Sequence, residues 1–192
     1  MPYFLYNNIC KNYFGIIYKN FRREMGKINT ATIIPAKTDA EIQDIAVLAD
    51  EIWHQHFTDI IGEAQVNYMV EKFQSYPALK EQIEEGYEYF KVYSGHTFAG
   101  YTGIHEEDGA LFLSKLYLHK NFRGQHLSTE VFRFLTDLCR ERKLSKIWLT
   151  CNKHNENTLN VYHHWGFITV REQKADIGNG FYMDDYILEY NL

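Results

Sequence analysis

Leu116-Tyr-Leu-His-Lys-Asn-Phe-Arg-Gly-Gln-His-Leu-Ser128 runs from an apolar segment through an Arg-Gly turn into a helical pattern. Upstream, Leu111, Phe112 and Leu113 precede a break at Ser114 and Lys115, after which Leu116, Tyr117 and Leu118 complete a run of strand length and aromatic-aliphatic character. Downstream, Leu127, Val131, Phe134, Leu135 and Leu138 recur at helical spacing, with Arg140, Arg142 and Lys143 at the far end, where cations complement the helix dipole. The helix is therefore expected to start at Leu127 or Ser128. Gly124 can adopt a left-handed backbone and bring amides close to a ligand. A helix opening straight from that turn presents unpaired N–H groups and a positive dipole end, which suits phosphate.

Working outward, Lys146-Ile-Trp-Leu-Thr-Cys151 reads as a second buried strand. Asn155-Glu-Asn-Thr158 supplies N-cap chemistry for a short helix carrying Leu159, Tyr162 and Trp165, and Gly166 stops it before Phe167 begins another strand.

In this order and separation, the Leu-Tyr-Leu strand, the Arg123 to Ser128 turn, the long helix and the Asn155-x-x-Thr158-x-x-x-Tyr162-x-x-x-Gly166-Phe167 run resemble the acetyl-CoA-binding half of the GNAT superfamily of N-acetyltransferases. The resemblance spans roughly Thr30 to the C-terminus, with its specific motifs in the second half. It implies an α/β (α+β) fold with a mixed, mostly antiparallel central sheet flanked by helices, whose fourth and fifth strands splay apart. It also implies acetyl-CoA as co-substrate: the backbone of Leu116, Tyr117 and Leu118 holding the pantetheine and acetyl oxygen, the turn of Arg123, Gly124, Gln125, His126, Leu127 and Ser128 cradling the pyrophosphate, and Asn155 bonding the pantetheine. Tyr162 falls beside the CoA sulfur. When an amine attacks the thioester, the departing thiolate needs a proton, and a phenol of pKa about 10 can give one. The sequence departs from the family pattern at His126 and Ser128, where small residues are usual, and at Thr158, where alanine is.

The rest of the chain fits one domain. A length of 192 residues with 45% apolar and 23% charged content supports a sizeable core and argues against disorder. Three cysteines, Cys10, Cys139 and Cys151, are odd in number and lack metal-ligand spacing, which points to a reducing, cytoplasmic setting without a disulfide framework. A formal charge of −5 gives no global basic field for nucleic acid and suits a cationic substrate. Residues 1–27 are rich in Tyr, Phe and Asn, and Asn7, Asn8, Lys11 and Asn12 interrupt every apolar run, so the segment reads neither as a membrane span nor as a signal peptide. It is expected to be an unstructured extension, with Met25 as the natural start, ahead of a single acetyltransferase domain over residues 28–192. In that domain the pattern gives a short strand at Thr30 to Pro35, two or three helices between Thr38 and Gly86, and three antiparallel strands up to Leu118. After the organising stretch it gives final strands at Phe167 to Gln173 and Asp185 to Tyr190. Those aromatic-rich final strands are candidates for pairing across a homodimer.

For the acceptor, the run Asp176-Ile-Gly-Asn-Gly-Phe-Tyr-Met-Asp-Asp-Tyr resembles PaiA-like polyamine acetyltransferases, which place a similar Phe-Tyr-Met before their last strand. Such a site pairs ammonium groups with carboxylates and aromatic faces. Glu51, Trp53, Asp59, Tyr182, Asp184 and Asp185 are its candidate elements. The fourth-strand glutamate of many relatives has no counterpart, since its slots hold Phe112 and Ser114, which leaves water, Glu51, His54, His56 or His105 to take the proton of an ammonium whose pKa is about 10.4. His54-x-His56 and His163-His164 lack further ligands at defined spacing, so no metal is expected. The expected activity is acetyl transfer to a primary amine of a small cationic molecule such as a polyamine, by direct attack in a ternary complex. Two alternatives are a protein or peptide acceptor and a noncatalytic CoA-binding sensor.

Overall fold

In a computed structural model of the chain, residues 31–192 are described; the expected extension over residues 1–27 lies outside them. The element order is β1 (Ala31–Pro35), α1 (Asp39–Ile61), α2 (Glu63–Phe73), α3 (Tyr76–Glu84), β2 (Glu88–Ser94), β3 (Thr97–Glu107), β4 (Ala110–Leu118), a single 3-10 turn (Lys120–Phe122), α4 (Leu127–Arg142), β5 (Lys146–Asn152), α5 (Glu156–His164), β6 (Ile168–Gly178) and β7 (Phe181–Asn191). The seven strands form one sheet in the order β1-β2-β3-β4-β5-β7-β6.

Local chemistry sets the boundaries. Thr38 caps α1 through a reciprocal pair in which its hydroxyl accepts from the Glu41 amide and the Glu41 carboxylate accepts from the Thr38 amide. Ser75 caps α3 just ahead of Pro77. The sheet then separates two cores. One face packs Leu111, Leu113, Ile147 and Leu149 under α4 and α5, contributed by Val131, Leu135, Leu159 and Tyr162. The other packs Tyr89 and Tyr101 under α1 through Ile42, Ile45 and Ile52, with a satellite cluster of Trp53, Phe57, Val66 and Met69 between α1 and α2.

Two irregularities matter for function. First, β4 and β5 are parallel and pair only at Leu111 with Ile147 and Phe112 with Trp148, so the two strands part beyond Phe112, as the expected splay requires. Second, the β3–β4 register shifts between Gly103 and Ile104: Ile104 faces Leu113 and Gly103 faces Lys115, leaving Ser114 as the extra residue of a bulge. One extra residue inverts the alternation. Leu111 and Leu113 face α4, Leu116 and Leu118 stay on that face, and Lys115 and Tyr117 turn to the α1 side. At the other edge, the last strands extend further than the apolar pattern suggests. β6 and β7 meet in a two-residue turn, Asn179-Gly180, with φ of +54° and +77°. Asn-Gly with both residues left-handed is the turn that matches strand twist, so pairing continues to Gly178 and Phe181 rather than stopping at Gln173 and Asp185.

Candidate active site

A cavity of about 900 Å³ runs through the gap where β4 and β5 part, from the Arg123 turn on one side to α1, α2, α3 and the β6–β7 hairpin on the other. Among the residues expected to hold the cofactor, Leu116, Tyr117, Leu118, Arg123, Gly124, His126, Leu127, Ser128 and Asn155 line it, and Tyr162 does too. Gln125 does not line it and instead donates from Nε2 to the Asn121 carbonyl at 2.8 Å.

The turn is left-handed at Gly124, with φ of +72°, and again at His126, with φ of +62°. Histidine is among the side chains that tolerate this region, so the departure at His126 keeps the geometry that a small residue would give. His126 is the N-cap of α4, and its carbonyl takes the amides of Thr129 and Glu130. The amides of Leu127 and Ser128 therefore lie ahead of the helical ladder, where the dipole favours an anion. Arg123 ties the turn to the strand by donating from Nε to the Leu118 carbonyl at 3.1 Å, and from Nη1 to His56 Nδ1 at 3.3 Å. A guanidinium can only donate, so His56 Nδ1 accepts. Burial first and the Arg123 charge second hold the imidazole below its ordinary pKa, against a hydrogen bond that its ring donates to the Asn155 side chain. His56, from α1, thus bridges the turn and the N-terminus of α5. Asn155 occupies the N-cap position without a capping bond from its side chain, which leaves that amide in the cavity.

Where β4 and β5 part, Tyr162, Tyr117, Cys151 and Asp185 converge. Tyr162 is wedged edge-on against Trp165 and Phe167. Burial chiefly, then Cys151 and Tyr117, keep its phenol protonated well above neutral pH. Cys151 is pushed up to about 12 by burial and by Asp185, so it stays a thiol and a poor nucleophile. Asp185 sits on β7 opposite Asn152, only 6% exposed, and its Oδ1 has no hydrogen-bond partner among the described residues. Burial, then repulsion from Asp184, raise it from 3.8 to about 6, with Lys153 acting in the opposite direction. A carboxylate so placed can accept a proton near neutral pH.

Of the remaining acceptor candidates, the structure brings in only Trp53, which is buried in the cavity wall with its ring 5.7 Å from that of Tyr117. Glu51 pairs with His119 at 3.0 Å, and Asp184 pairs with Lys153 at 2.7 Å. Asp59 and Tyr182 are exposed, and none of these four lines the cavity. Two of the proposed bases stay outside it as well: His54 is held by the Asp50 carbonyl and Asn67, and His105 stacks on Tyr87. A cavity residue to which the sequence assigns no functional role is Lys115, 5% exposed in the wall. Its only sequence signal is the break it makes in an apolar strand. Among the described residues, no three His, Cys, Asp or Glu side chains gather as a metal site, and no helix is long and apolar enough to cross a membrane.

Comparison with known proteins agrees with this geometry. Residues 48–167 match the family described as "Acetyltransferase (GNAT) family". An uncharacterized N-acetyltransferase in the pepI 3' region of Lactobacillus delbrueckii subsp. lactis is 29% identical over 99 residues, which cover 47% of this chain and 57% of that protein, so the match spans little more than half of the relative. PaiA N-acetyltransferase from Thermoplasma acidophilum, solved in complex with coenzyme A, superposes with a TM-score of 0.68 at 15% identity, covering 84% of this chain and 99% of that one. The ribosomal-protein-S18-alanine N-acetyltransferase of Escherichia coli superposes with a TM-score of 0.62 at 15% identity, over 84% and 93% respectively. At those identities the likeness is one of fold.

Proposed function

Because this chain belongs to the GNAT family of acetyltransferases, we propose that it is an acetyl-CoA-dependent N-acetyltransferase acting on a primary amine of a small molecule by direct attack in a ternary complex. The observation that carries this reading is the convergence of an orphaned, proton-accepting carboxylate, Asp185, and a protonated phenol, Tyr162, in the gap between β4 and β5.

The residues present fit acetyl-CoA. The edge of β4 that faces β5 is unpaired beyond Phe112 and would serve as a strand edge for the pantetheine, the amides of Leu127 and Ser128 with Arg123 would hold the pyrophosphate, and Asn155 would close the arm. Acetyl-CoA supplies the activated acyl carbon. Asp185 then takes a proton from the incoming ammonium, the freed nitrogen forms the new N–C bond as the C–S bond breaks, Tyr162 gives its proton to the departing sulfur, and the surplus proton on the new amide nitrogen passes through water to the Tyr162 phenolate. With Tyr162 restored by that proton, release of the Asp185 proton to water closes the cycle. Cys151, held as a neutral thiol, is poorly suited to carry an acetyl group, which supports direct transfer.

The far wall supports a small acceptor. A peptide would need an open groove between the early helices and the final strands. There, Tyr68 Oη and Lys72 Nζ both donate to the Ile177 carbonyl, at 2.5 and 2.6 Å, and Gln65 Nε2 donates to the Tyr182 carbonyl at 2.8 Å. These bonds strap α2 to the β6–β7 hairpin and favour a small molecule over a peptide. The polyamine version of the reading rests on Asp185 with the exposed Glu81 and Glu85, and is weakened by Lys72 and Lys115 in the same cavity. The left-handed His126 preserves the turn and so supports CoA binding, while Asp185 and Tyr162 together weigh against a noncatalytic sensor.

Thiol release from acetyl-CoA across diamines, polyamines, amino acids, amino sugars and short peptides, with a control lacking amine, tests this. Saturable release with a small amine is expected. Release with peptides alone would overturn the small-molecule reading, and tight acetyl-CoA binding without transfer to any amine would overturn the enzymatic one.

A further inference from the structure

Two lysines are buried among the described residues, and they are treated differently. Lys91 donates to Asp44 at 2.7 Å, and the carboxylate offsets its charge. Lys115 has no carboxylate within ion-pair distance among the described residues; its ammonium donates to Gln82 Oε1 and, at 2.5 Å, to Tyr89 Oη. The directions of these bonds are fixed. Gln82 Nε2 donates to the Phe73 carbonyl at 3.2 Å, so its Oε1 is the acceptor, and Tyr89 also donates to that oxygen at 2.6 Å. Lys115 thus meets two neutral oxygens with two of its three protons and lines the cavity on the acceptor side of Tyr117.

A buried cation satisfied in hydrogen bonds but not in charge is costly to a fold. The other charged groups in that arm leave the charge uncancelled: Asp185 lies at the Tyr117 end and acts with Asp184 and Lys153 rather than with Lys115, Glu81 and Glu85 are exposed at the outer end of α3, where solvent screens them, and Lys72 is of the same sign. Such a group is useful where a ligand brings the missing charge.

We propose that Lys115 receives an anionic oxygen group on the acceptor, so that the substrate is a small amine that also bears a carboxylate or a phosphate, its nitrogen directed to the Tyr117 and Asp185 end of the cavity. The inference rests on the reading of this arm as the acceptor site. Burial lowers the Lys115 pKa from 10.5 to about 7, and an anion beside it would restore the ammonium, so binding near neutral pH takes up protons. A polycation, by contrast, would set like charge against Lys115 in a desolvated wall.

Binding measured separately from turnover tests this. Protein saturated with CoA is titrated calorimetrically with matched pairs: cadaverine against lysine, ethanolamine against serine, and ethanolamine against phosphoethanolamine. The anionic member of at least one pair should bind about tenfold more tightly or better, about 1.4 kcal/mol, and the serine and phosphoethanolamine arms tell carboxylate from phosphate. Lys115→Met, which keeps the volume and removes the charge, should bring the pair within about twofold while CoA affinity stays unchanged. Plain amines binding as tightly as their anionic partners, no anionic amine binding to protein that holds CoA, or a preference that survives Lys115→Met would each overturn the proposal. The pair preference in the unsubstituted protein keeps the test decisive if the variant folds poorly. A clear preference without acetyl transfer would support the role of Lys115 and count against the proposed activity alone.

Discussion

Between Leu116 and Tyr162 the cofactor arm of the cavity is assembled from contiguous chain and largely from backbone, whereas the acceptor arm draws single side chains from α1, α2, α3, β4 and the β6–β7 hairpin. An unpaired strand edge and a helix N-terminus recognise a ligand through groups that every residue carries. Such an arm tolerates His126 in place of a small residue, provided the left-handed turn is kept. The acceptor arm has no such tolerance. Asp185 with its orphaned oxygen and Lys115 with its uncancelled charge each depend on one side chain in one place. Specificity therefore resides in the arm that sequence pattern describes least.

If the two arms are separable, substitutions should divide cleanly between cofactor binding and transfer. The largest effect is expected at their junction. Tyr162→Phe should slow transfer by about 10² to 10⁴, the usual worth of a positioned proton donor, while acetyl-CoA affinity changes little; steady-state turnover and calorimetry on the same protein would show whether the effects separate. Next comes Arg123→Ala, which removes the side chain holding the turn to Leu118 and His56. It should weaken CoA binding by about 10- to 100-fold, as a lost charge-assisted hydrogen bond implies, with maximal transfer rate nearly kept. A fall in rate at saturating acetyl-CoA would mean that the arms are coupled through His56.

Stability offers a subtler separation. Lys115 has a folded pKa of about 7, below its ordinary 10.5, so its burial penalises the fold fully below pH 7 and no longer above about 10.5. Lys115→Met should accordingly raise Tm at pH 6, with the gain shrinking as pH climbs toward 10. Thermal melts across that range check the sign, and a gain that does not vary with pH would remove the charge from the explanation. The smallest effect is expected at His126→Gly. The left-handed backbone costs a non-glycine residue about 1 to 2 kcal/mol, so the variant should be slightly more stable and bind CoA at least as well. Weaker CoA binding would give the imidazole a direct role.

The cofactor arm was legible because its parts lie in order along the chain: apolar strand, Arg-Gly turn, helical period, Asn and Tyr at fixed spacing. The acceptor arm was not, for identifiable reasons. A strict two-residue alternation through Leu111 and Leu113 would put Lys115 on the α4 face, and the Ser114 bulge turns it the other way. Nothing in the composition of β4 marks that extra residue. Asp185 stood among the candidates beside Asp184, but adjacent strand residues face opposite sides, so one entered the cavity and the other met Lys153 outside it. Glu51 and Asp59 are candidates with Trp53 because an ammonium site pairs carboxylates with an aromatic face, whereas on α1 the tryptophan faces inward and both carboxylates lie on exposed positions. The Asn179-Gly180 turn was written in the sequence; the strands it joins were read too short because β6 is exposed along most of its length and has no apolar alternation to betray it.

The claim on which the account rests is that Asp185 serves transfer and not cofactor binding, and Asp185→Asn tests it most directly. Acetyl transfer to a small amine should rise in the unsubstituted protein as the carboxyl ionises near pH 6. In the variant that limb should vanish and the rate fall by about 10² or more, with CoA affinity within twofold. A variant that keeps the unsubstituted rate and its limb near pH 6, or that loses CoA binding together with transfer, would contradict the account.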